Sequence, residues 1–557
     1  MLTIYMSKIY EPVSILAILI ASIFGMKALF HPGLFTAHDI YHQIVRIYYY
    51  YQSTIDGQFP PYWISDLASG YGYPLFFFSY HLPWILSLPF LYLGVGFPIT
   101  IKVIFFLGFL LSGSSMYYFC KAIFQNRLAA LISSILYLWA PYHFMTIFVG
   151  ASVGVVYAFI FLPLILLGIH LSFQNKLKGL VILAISIAGL ILAHFLHAIY
   201  FLPTIIIFFI WELLMTKPIL LLNASKWIAS GLLLAILLSS FYLIPAFYYR
   251  NYTYAPVESG FSSLYKRNFI NLSQLIYSKW GFGPIINNAK NGEISFQLGI
   301  SQWISLMMLI LIIVFRKINK NLKKLGFIIL IGVLINIFLL LNYSIWFWKI
   351  FEKIIVIDYP FRFIAALVFL SSFSIGVVLA SINKNAQKIL FTIILILTFY
   401  TNRNHLNVNL YTDIPVEEYL NSETTITTNT FHEYTPIKAD RSLINKKGAP
   451  FVSPDLPVEN IKQETTSIDF DIETSRETNI SVKQFSFPGL NTYIDQVIVQ
   501  TSIDKKGLIN IHIPTGKHHI KIRFEETPLI KFSKILSVIG IILTLAILFR
   551  IFLSRNK

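Results

Sequence analysis

Twelve apolar stretches, each near the length of a bilayer crossing, recur along this chain of 557 residues. They lie near 12–30, 101–119, 128–148, 151–171, 179–196, 198–215, 226–247, 298–315, 325–342, 362–381, 388–401 and 533–553. About 18 apolar residues in a row suffice for a helix to cross the hydrocarbon layer. Only 12% of the residues are charged, about half the share of a soluble domain. This balance excludes an ordinary cytosolic enzyme and a disordered chain. It predicts an α-helical polytopic membrane protein of about 12 spans. The first stretch has no small-residue cleavage site and runs into Phe30-His31-Pro32, so it reads as a retained span. The single cysteine, Cys120, allows neither an intrachain disulfide nor a thiolate metal cluster.

The net charge of +17 follows the spans. With Lys8 in the cytoplasm, the inside loops carry Lys121 and Arg127, Lys176 and Lys178, Lys217 and Lys226. Further inside groups are Arg316 to Lys324, Lys384 with Lys388, and the tail with Arg550, Arg555 and Lys557. This positive-inside pattern places both termini in the cytoplasm and accounts for much of the basic excess without nucleic acid. Residues 81–97 are apolar enough to span, but counting them would put every later basic loop outside. They therefore read as an outer-face interfacial or re-entrant helix broken by Pro83 and Pro89. The expected membrane is the cytoplasmic (inner) one.

These spans divide the chain into a membrane domain (1–400), an extracytoplasmic β-rich domain (401–530) and a C-terminal helix with a basic tail (531–557). Outer loops 31–100 and 248–297 belong to the first. In the second, Ile509, Ile511 and Ile513 alternate with polar residues, a Pro514-Thr515-Gly516-Lys517 turn follows, and Ile520, Ile522 and Phe524 alternate again. The pattern predicts a β-hairpin with one buried face, within a β-sandwich of roughly 110–130 residues. No P-loop, dinucleotide fingerprint or H-E-x-x-H motif occurs.

The densest chemistry follows the first span. In TAHDIYHQIVRIYYYY (36–51), a helix capped by Thr36 and starting near Ala37 places His38, Asp39, His42 and Arg46 on one face. The other face, with Ile40, Ile44, Ile47 and tyrosines, suits lipid headgroups. A carboxylate, two imidazoles and a guanidinium can perform acid–base work or bind phosphate. The same face also suits a helix whose polar side simply meets water. A divalent metal on His38, Asp39 and His42 is a further possibility at this spacing. Residues 57–84 are dense in Gly, Pro and aromatics and read as a fixed loop. Its Trp63, Tyr71, Tyr73 and His81 are candidate substrate contacts, since aromatic faces suit sugar rings and isoprenyl chains. Mutual packing is the alternative for each.

The string Asp39, His42, Arg46, Gly57-Gln58-Phe59-Pro60, Trp63 and Gly70-Tyr71-Gly72-Tyr73-Pro74-Leu75-Phe76 resembles the multi-span membrane proteins called 6-pyruvoyl-tetrahydropterin synthase-related. That name implies no pterin chemistry. Those proteins in turn resemble GT-C-type glycosyltransferases, which use polyprenyl-phosphate-linked sugars. Asp358-Tyr359-Pro360-Phe361-Arg362-Phe363, Glu433-Tyr434-Thr435-Pro436 and Phe487-Pro488-Gly489 with Asp495 resemble later stretches of the family. Two features depart from it. Residues 148–157 (FVGASVGVVY) lack the charges often found there, and Asp358 replaces a usual glutamine.

The resemblance implies a GT-C-like fold and transfer of a sugar from a polyprenyl-phosphate-linked donor to a glycan, lipid or protein acceptor. It makes Asp39 the catalytic base of an inverting displacement, with Arg46 or Arg362, or a metal ion, facing the leaving phosphate. Asp358 with Arg362 reads as either a local ion pair or a second wall of the donor site. His194 reads as either a substrate contact or, with His197, part of a turn between helices. Two other classes stay open: a transporter or flippase of lipid-linked oligosaccharide, and a non-catalytic envelope-assembly protein.

Overall fold

The computed structural model describes residues 2–258, 264–284, 293–352, 358–446 and 448–554. The helices used below are α1 (Leu2–Gly25), α2 (Ile40–Ile55), α3 (Leu82–Tyr92), α4 (Phe97–Phe124), α5 (Arg127–Leu138), α6 (Pro141–Phe148), α7 (Val153–Phe173) and α8 (Leu177–His194). They continue with α9 (His197–Met215), α10 (Pro218–Tyr249), α11 (Ile300–Phe315), α12 (Lys320–Leu340), α13 (Ile364–Ala380), α14 (Lys384–Asn402) and α15 (Pro528–Leu553).

Eight helices among the described residues are long and apolar enough to cross a membrane: α4, α7, α8, α9, α10, α12, α13 and α15. A ninth crossing results if α5 and α6, bent by 43° where Pro141 opens α6, count as one. The expected twelve are therefore not reached. The described apolar part of α1, Glu11–Gly25, is short. Helix α11 has 16 residues, about 24 Å at 1.5 Å per residue, against about 30 Å of hydrocarbon. Helix α14 opens with Lys384, Asn385, Gln387 and Lys388, which shorten its apolar run. Helix α3 has 11 residues, about 16 Å, and does not span. Pro83 sits in its first turn and Pro89 lies within it, so neither proline breaks it.

Burial orders the bundle. The apolar windows of α7 and α13 are 89% and 94% buried, whereas that of α15 is 17% buried. Helices α7 and α13 are thus central, and α15 leaves most of its surface for lipid. Helix α15 is held to α10 by Ser537, whose Oγ accepts from Phe241 N (2.9 Å) and donates to Leu237 O (3.1 Å). Such polar contacts supplement packing where lipid supplies no hydrophobic drive between helices.

The β-domain contains two sheets. One has strand order β3 (Val452–Ser453), β6 (Thr478–Phe485), β10 (Leu508–Ile513), β9 (Ser502–Ile503). The other runs β4 (Val458–Gln463), β5 (Ser467–Thr474), β11 (Gly516–Phe524), β7 (Leu490–Ile494), β8 (Val497–Val499). Ile480, Val482, Ile509, Ile511 and Ile513 share one buried core with Ile468, Phe470, Ile520 and Ile522 of the opposite sheet. The alternation is as read, but the predicted hairpin is not formed. Strand β10 pairs with β6 and β9, and β11 pairs with β5 and β7. The Pro514-Thr515 link carries the chain from one sheet to the other. Alternation marks which face is buried, not which strand lies alongside.

The sandwich strands run only from Val452 to Phe524. The preceding segment belongs with the membrane domain's core, which includes Leu406, Tyr419, Ile426, Ala439 and Ile444. Its strand β2 (Tyr411–Thr412) pairs with β1 (Leu34–Phe35) just before α2. That pairing fixes the approach to the polar cluster.

Candidate functional site

Three amides of the backbone entering α2 are committed before the helix starts. Thr36 N donates to Leu410 O (2.9 Å), His38 N to Val149 O (2.9 Å) and Asp39 N to Gly150 O (3.1 Å). The helix therefore begins at Ile40, not near Ala37, and Thr36 does not cap it. Asp39 occupies the cap position without using its side chain on the helix. Its half-buried carboxylate accepts from Ser152 Oγ (3.3 Å). His38 leaves the helical face, is exposed, and places Nε2 3.2 Å from Phe282 O. Ile40, Ile44 and Ile47 are at most 1% exposed and lie in protein, not at lipid headgroups as expected.

One turn on, His42 and Arg46 keep the expected shared face and are both half-buried. Burial, with the Arg46 cation, holds the His42 imidazole down at about 4, against the opposing pull of Asp39. His42 is therefore neutral at pH 7, and its buried Nδ1 has no hydrogen-bond partner among the described residues. Arg46 donates from Nε to Thr428 Oγ1 (3.2 Å) and from Nη2 to Thr428 O (2.5 Å). Its guanidinium lies 5.8 Å from the Tyr80 ring centroid. Tyr80 OH in turn donates to Gln43 Oε1 (2.8 Å), and Gln43 Nε2 donates to Ala151 O (3.0 Å).

Arg362 forms the opposite wall. Its Nη1 donates to Asp358 Oδ2 (2.5 Å), while Tyr200 OH (2.5 Å) and Tyr359 N (2.7 Å) donate to Asp358 Oδ1. Both oxygens of the buried Asp358 thus accept hydrogen bonds within the protein, and one of them holds Arg362. His194 lies within electrostatic reach of both Arg46 and Arg362. The His194 and His197 rings stand 4.4 Å apart, edge to face. His194 Nδ1 and both ring nitrogens of His197 are buried without a partner among the described residues. Asp39 is also within reach of Tyr359, whose hydroxyl pKa is raised chiefly by burial and by Asp358. Asp39, His42, Arg46, His194 and Arg362 therefore converge from three parts of the chain. Asp39, His42 and Arg46 sit on or beside a helix that is not one of the crossing helices.

The other sequence candidates lie elsewhere. Trp63 is 0% exposed and stacks on Phe487 (centroids 5.5 Å apart). Tyr71 stacks on Phe485 (5.2 Å), and Tyr73 OH accepts from Tyr434 N (3.0 Å). His81 is buried, with Nδ1 3.1 Å from Tyr50 OH and Nε2 2.9 Å from Phe76 O. Burial pushes its pKa down to about 3. Trp63 and Tyr71 join loop 57–84 to the β-domain, Tyr73 joins it to the segment before that domain and His81 packs within the membrane domain, and the accessible surface of all four is consumed by packing. Gly72 shows how tight the joint is: at φ +83°, a Cβ there would stand 2.2 Å from Trp63 and 2.0 Å from Gln484.

Sequence reasoning missed much of the wall. Residues 148–157, set aside for lacking charge, supply Val149 O, Gly150 O, Ala151 O and Ser152 Oγ to the α2 entry. A Cβ at Gly154 would come 3.1 Å from both His194 and Tyr80, so glycine lets α7 approach both. Thr428, Tyr80 and Tyr200 also went unread, because their partners are distant in sequence. Among the described residues no three His, Cys, Asp or Glu side chains are grouped to hold a metal ion, and His38, Asp39 and His42 do not assemble as one.

No protein-family model matches the chain, and no curated protein matches it. Solved structures are similar, among them these two. One is the arabinofuranosyltransferase AftD from Mycobacteria (13% identity, TM-score 0.46, 73% of this chain and 28% of that one). The other is the archaeal oligosaccharyltransferase AglB from Archaeoglobus fulgidus, in complex with an inhibitory peptide and a dolichol-phosphate (12% identity, TM-score 0.41, 72% and 56%). The chain spans less than two thirds of the length of either.

Proposed function

We propose that this protein is a membrane glycosyltransferase that moves a sugar from a polyprenyl-phosphate-linked donor to an extracytoplasmic glycan, lipid or protein acceptor. The observation that carries the reading is one carboxylate and two arginines with shared neighbours: Asp39 and Arg46 both act on His42, Asp39 and Arg362 both act on Tyr359, and both arginines act on His194. The motif string around Asp39 and its GT-C-like resemblance point the same way.

In this reading Asp39 takes the proton of the acceptor hydroxyl as its oxygen attacks the anomeric carbon. The new C–O bond forms as the bond from the anomeric carbon to the phosphate oxygen breaks, which inverts the centre. The electron pair leaves with the lipid phosphate, and that charge is met by Arg46 and Arg362, each able to hold two oxygens. Asp358 and Tyr200 fix Arg362 so that it need not reorganise. Neutral His42 supplies a hydrogen bond without competing for the proton, and His194 offers a ring nitrogen. The positive-inside pattern places this end of the bundle, with the β-domain, on the outer face of the cytoplasmic membrane. The β-domain then positions the acceptor.

The test is transfer by the purified full-length chain in lipid nanodiscs, with radiolabelled polyprenyl-phosphate sugars and envelope glycan as acceptor. Wild-type transfer that is abolished in Arg46→Ala and in Arg362→Ala supports the reading. Transfer that is unaffected by both overturns it.

A further inference from the structure

The site has a polar neighbour that the chemistry above does not use. Loop 425–436 passes beside α2, and Arg46 holds it through Thr428. On this loop Asn429 Nδ2 donates to Glu433 Oε1 (3.1 Å). Glu433 is 6% exposed, and its other oxygen, Oε2, has no hydrogen-bond partner among the described residues. Asn429 Oδ1 is likewise buried and unpartnered. Among the described residues, two acceptor oxygens on one bonded pair are thus out of water without a donor. Each unmet buried acceptor costs about 1–3 kcal/mol, and native proteins leave few such groups.

The position of the pair narrows what fills it. Glu433 lies within electrostatic reach of Arg46 and of the Tyr73 hydroxyl. Burial pushes the Glu433 carboxyl up in pKa, against hydrogen bonding from its own backbone amide and from Asn429 and the pull of Arg46. Arg46 also reaches His194, which reaches Arg362. Arg46 thus links loop 425–436, through Thr428, to the candidate site. Oxygen acceptors repel a phosphate and suit groups that donate. A sugar ring offers several hydroxyl donors within a few ångströms of its phosphate.

We propose that Asn429 and Glu433 form the hydroxyl-recognition subsite for the sugar of the lipid-linked donor, next to the arginines that hold its phosphate. The proposal rests on the transferase reading. It makes loop 425–436 the specificity-determining element, separate from the leaving-group site.

The test is equilibrium binding to the full-length protein in nanodiscs. The probes are bare undecaprenyl phosphate and a panel of hexosyl and pentosyl undecaprenyl phosphates. Wild type is expected to bind at least one sugar-bearing lipid about tenfold more tightly than the bare lipid, the size of one good polar contact. In Glu433→Ala and Asn429→Ala that preference falls toward unity while bare-lipid affinity holds. Glu433→Gln, which keeps an oxygen acceptor, retains part of it. A melting temperature equal to wild type shows that the variants are folded. An unchanged preference in both alanine variants, or an equal loss for bare and sugar-bearing lipid, overturns the subsite and leaves the transferase reading standing. Wild type binding none of these lipids overturns both.

Discussion

The start of α2 and the aromatic loop behind it belong to one continuous string of motif residues, yet they end in opposite environments. Asp39, His42 and Arg46 remain half-buried, and His42 keeps an unused polar atom. Trp63 and Tyr73 are 0% exposed and Tyr71 is 3% exposed, each packed on a β-domain or linker residue. The first stretch holds chemistry and the second holds the β-domain in place. A motif can thus contain a site and its mounting side by side, and burial separates the two.

The comparison breaks most visibly at Asp39. Asp39→Asn is expected to lower transfer by about 10²–10⁴, the usual weight of a general base, with an unchanged melting temperature. Trp63→Ala is expected to do the reverse. Removing a fully buried indole destabilises by about 3–5 kcal/mol, read as a lower melting temperature, while folded protein at low temperature keeps its activity. If Trp63→Ala leaves stability intact and abolishes transfer, the joint is part of the site and the distinction fails.

A smaller effect sharpens it. Arg46→Lys keeps the charge but loses the planar fork. It is expected to weaken binding of bare undecaprenyl phosphate about tenfold, and to loosen loop 425–436, read as faster amide exchange around Thr428. The smallest expected effect is in pH. His42 is held at about 4 against an ordinary 6.5. Between those values the unfolded chain binds the proton and the folded chain does not. The stability due to neutral His42 is therefore complete above pH 6.5 and is lost as pH falls toward 4. Asp66, pushed up to about 6 by burial and by Asp56, acts in the opposite sense: its contribution is complete below 3.8 and is lost as pH rises through 6. The check is thus a difference: from pH 7 to pH 5 the melting temperature of wild type falls more steeply than that of His42→Gln. Parallel profiles would contradict the burial of His42.

Local patterns were legible in the sequence, and long-range partners were not. The long apolar helices, the alternation of Ile509 to Phe524 and the shared face of His42 and Arg46 each follow from spacing within one element. The pairing of β10 with β6 does not, because alternation carries no information about neighbours. The helix start moved from Ala37 to Ile40 because Val149 and Gly150, more than 100 residues away, claim the preceding amides. The uncharged run 148–157 was unreadable as a site wall for the same reason: it contributes mainly carbonyls, which every residue has. The ion pair of Asp358 with Arg362 was legible from their spacing, whereas the partner Tyr200, 158 residues away, was not.

The central claim is that Asp39 is the base of a sugar transfer. Its most direct test is mass spectrometry of surface glycans and lipid-linked sugars in a deletion strain complemented with wild type or Asp39→Asn. With the variant present at wild-type level, the account predicts a glycan that lacks a sugar and a lipid-linked donor that accumulates. A normal glycan restored by Asp39→Asn would contradict it.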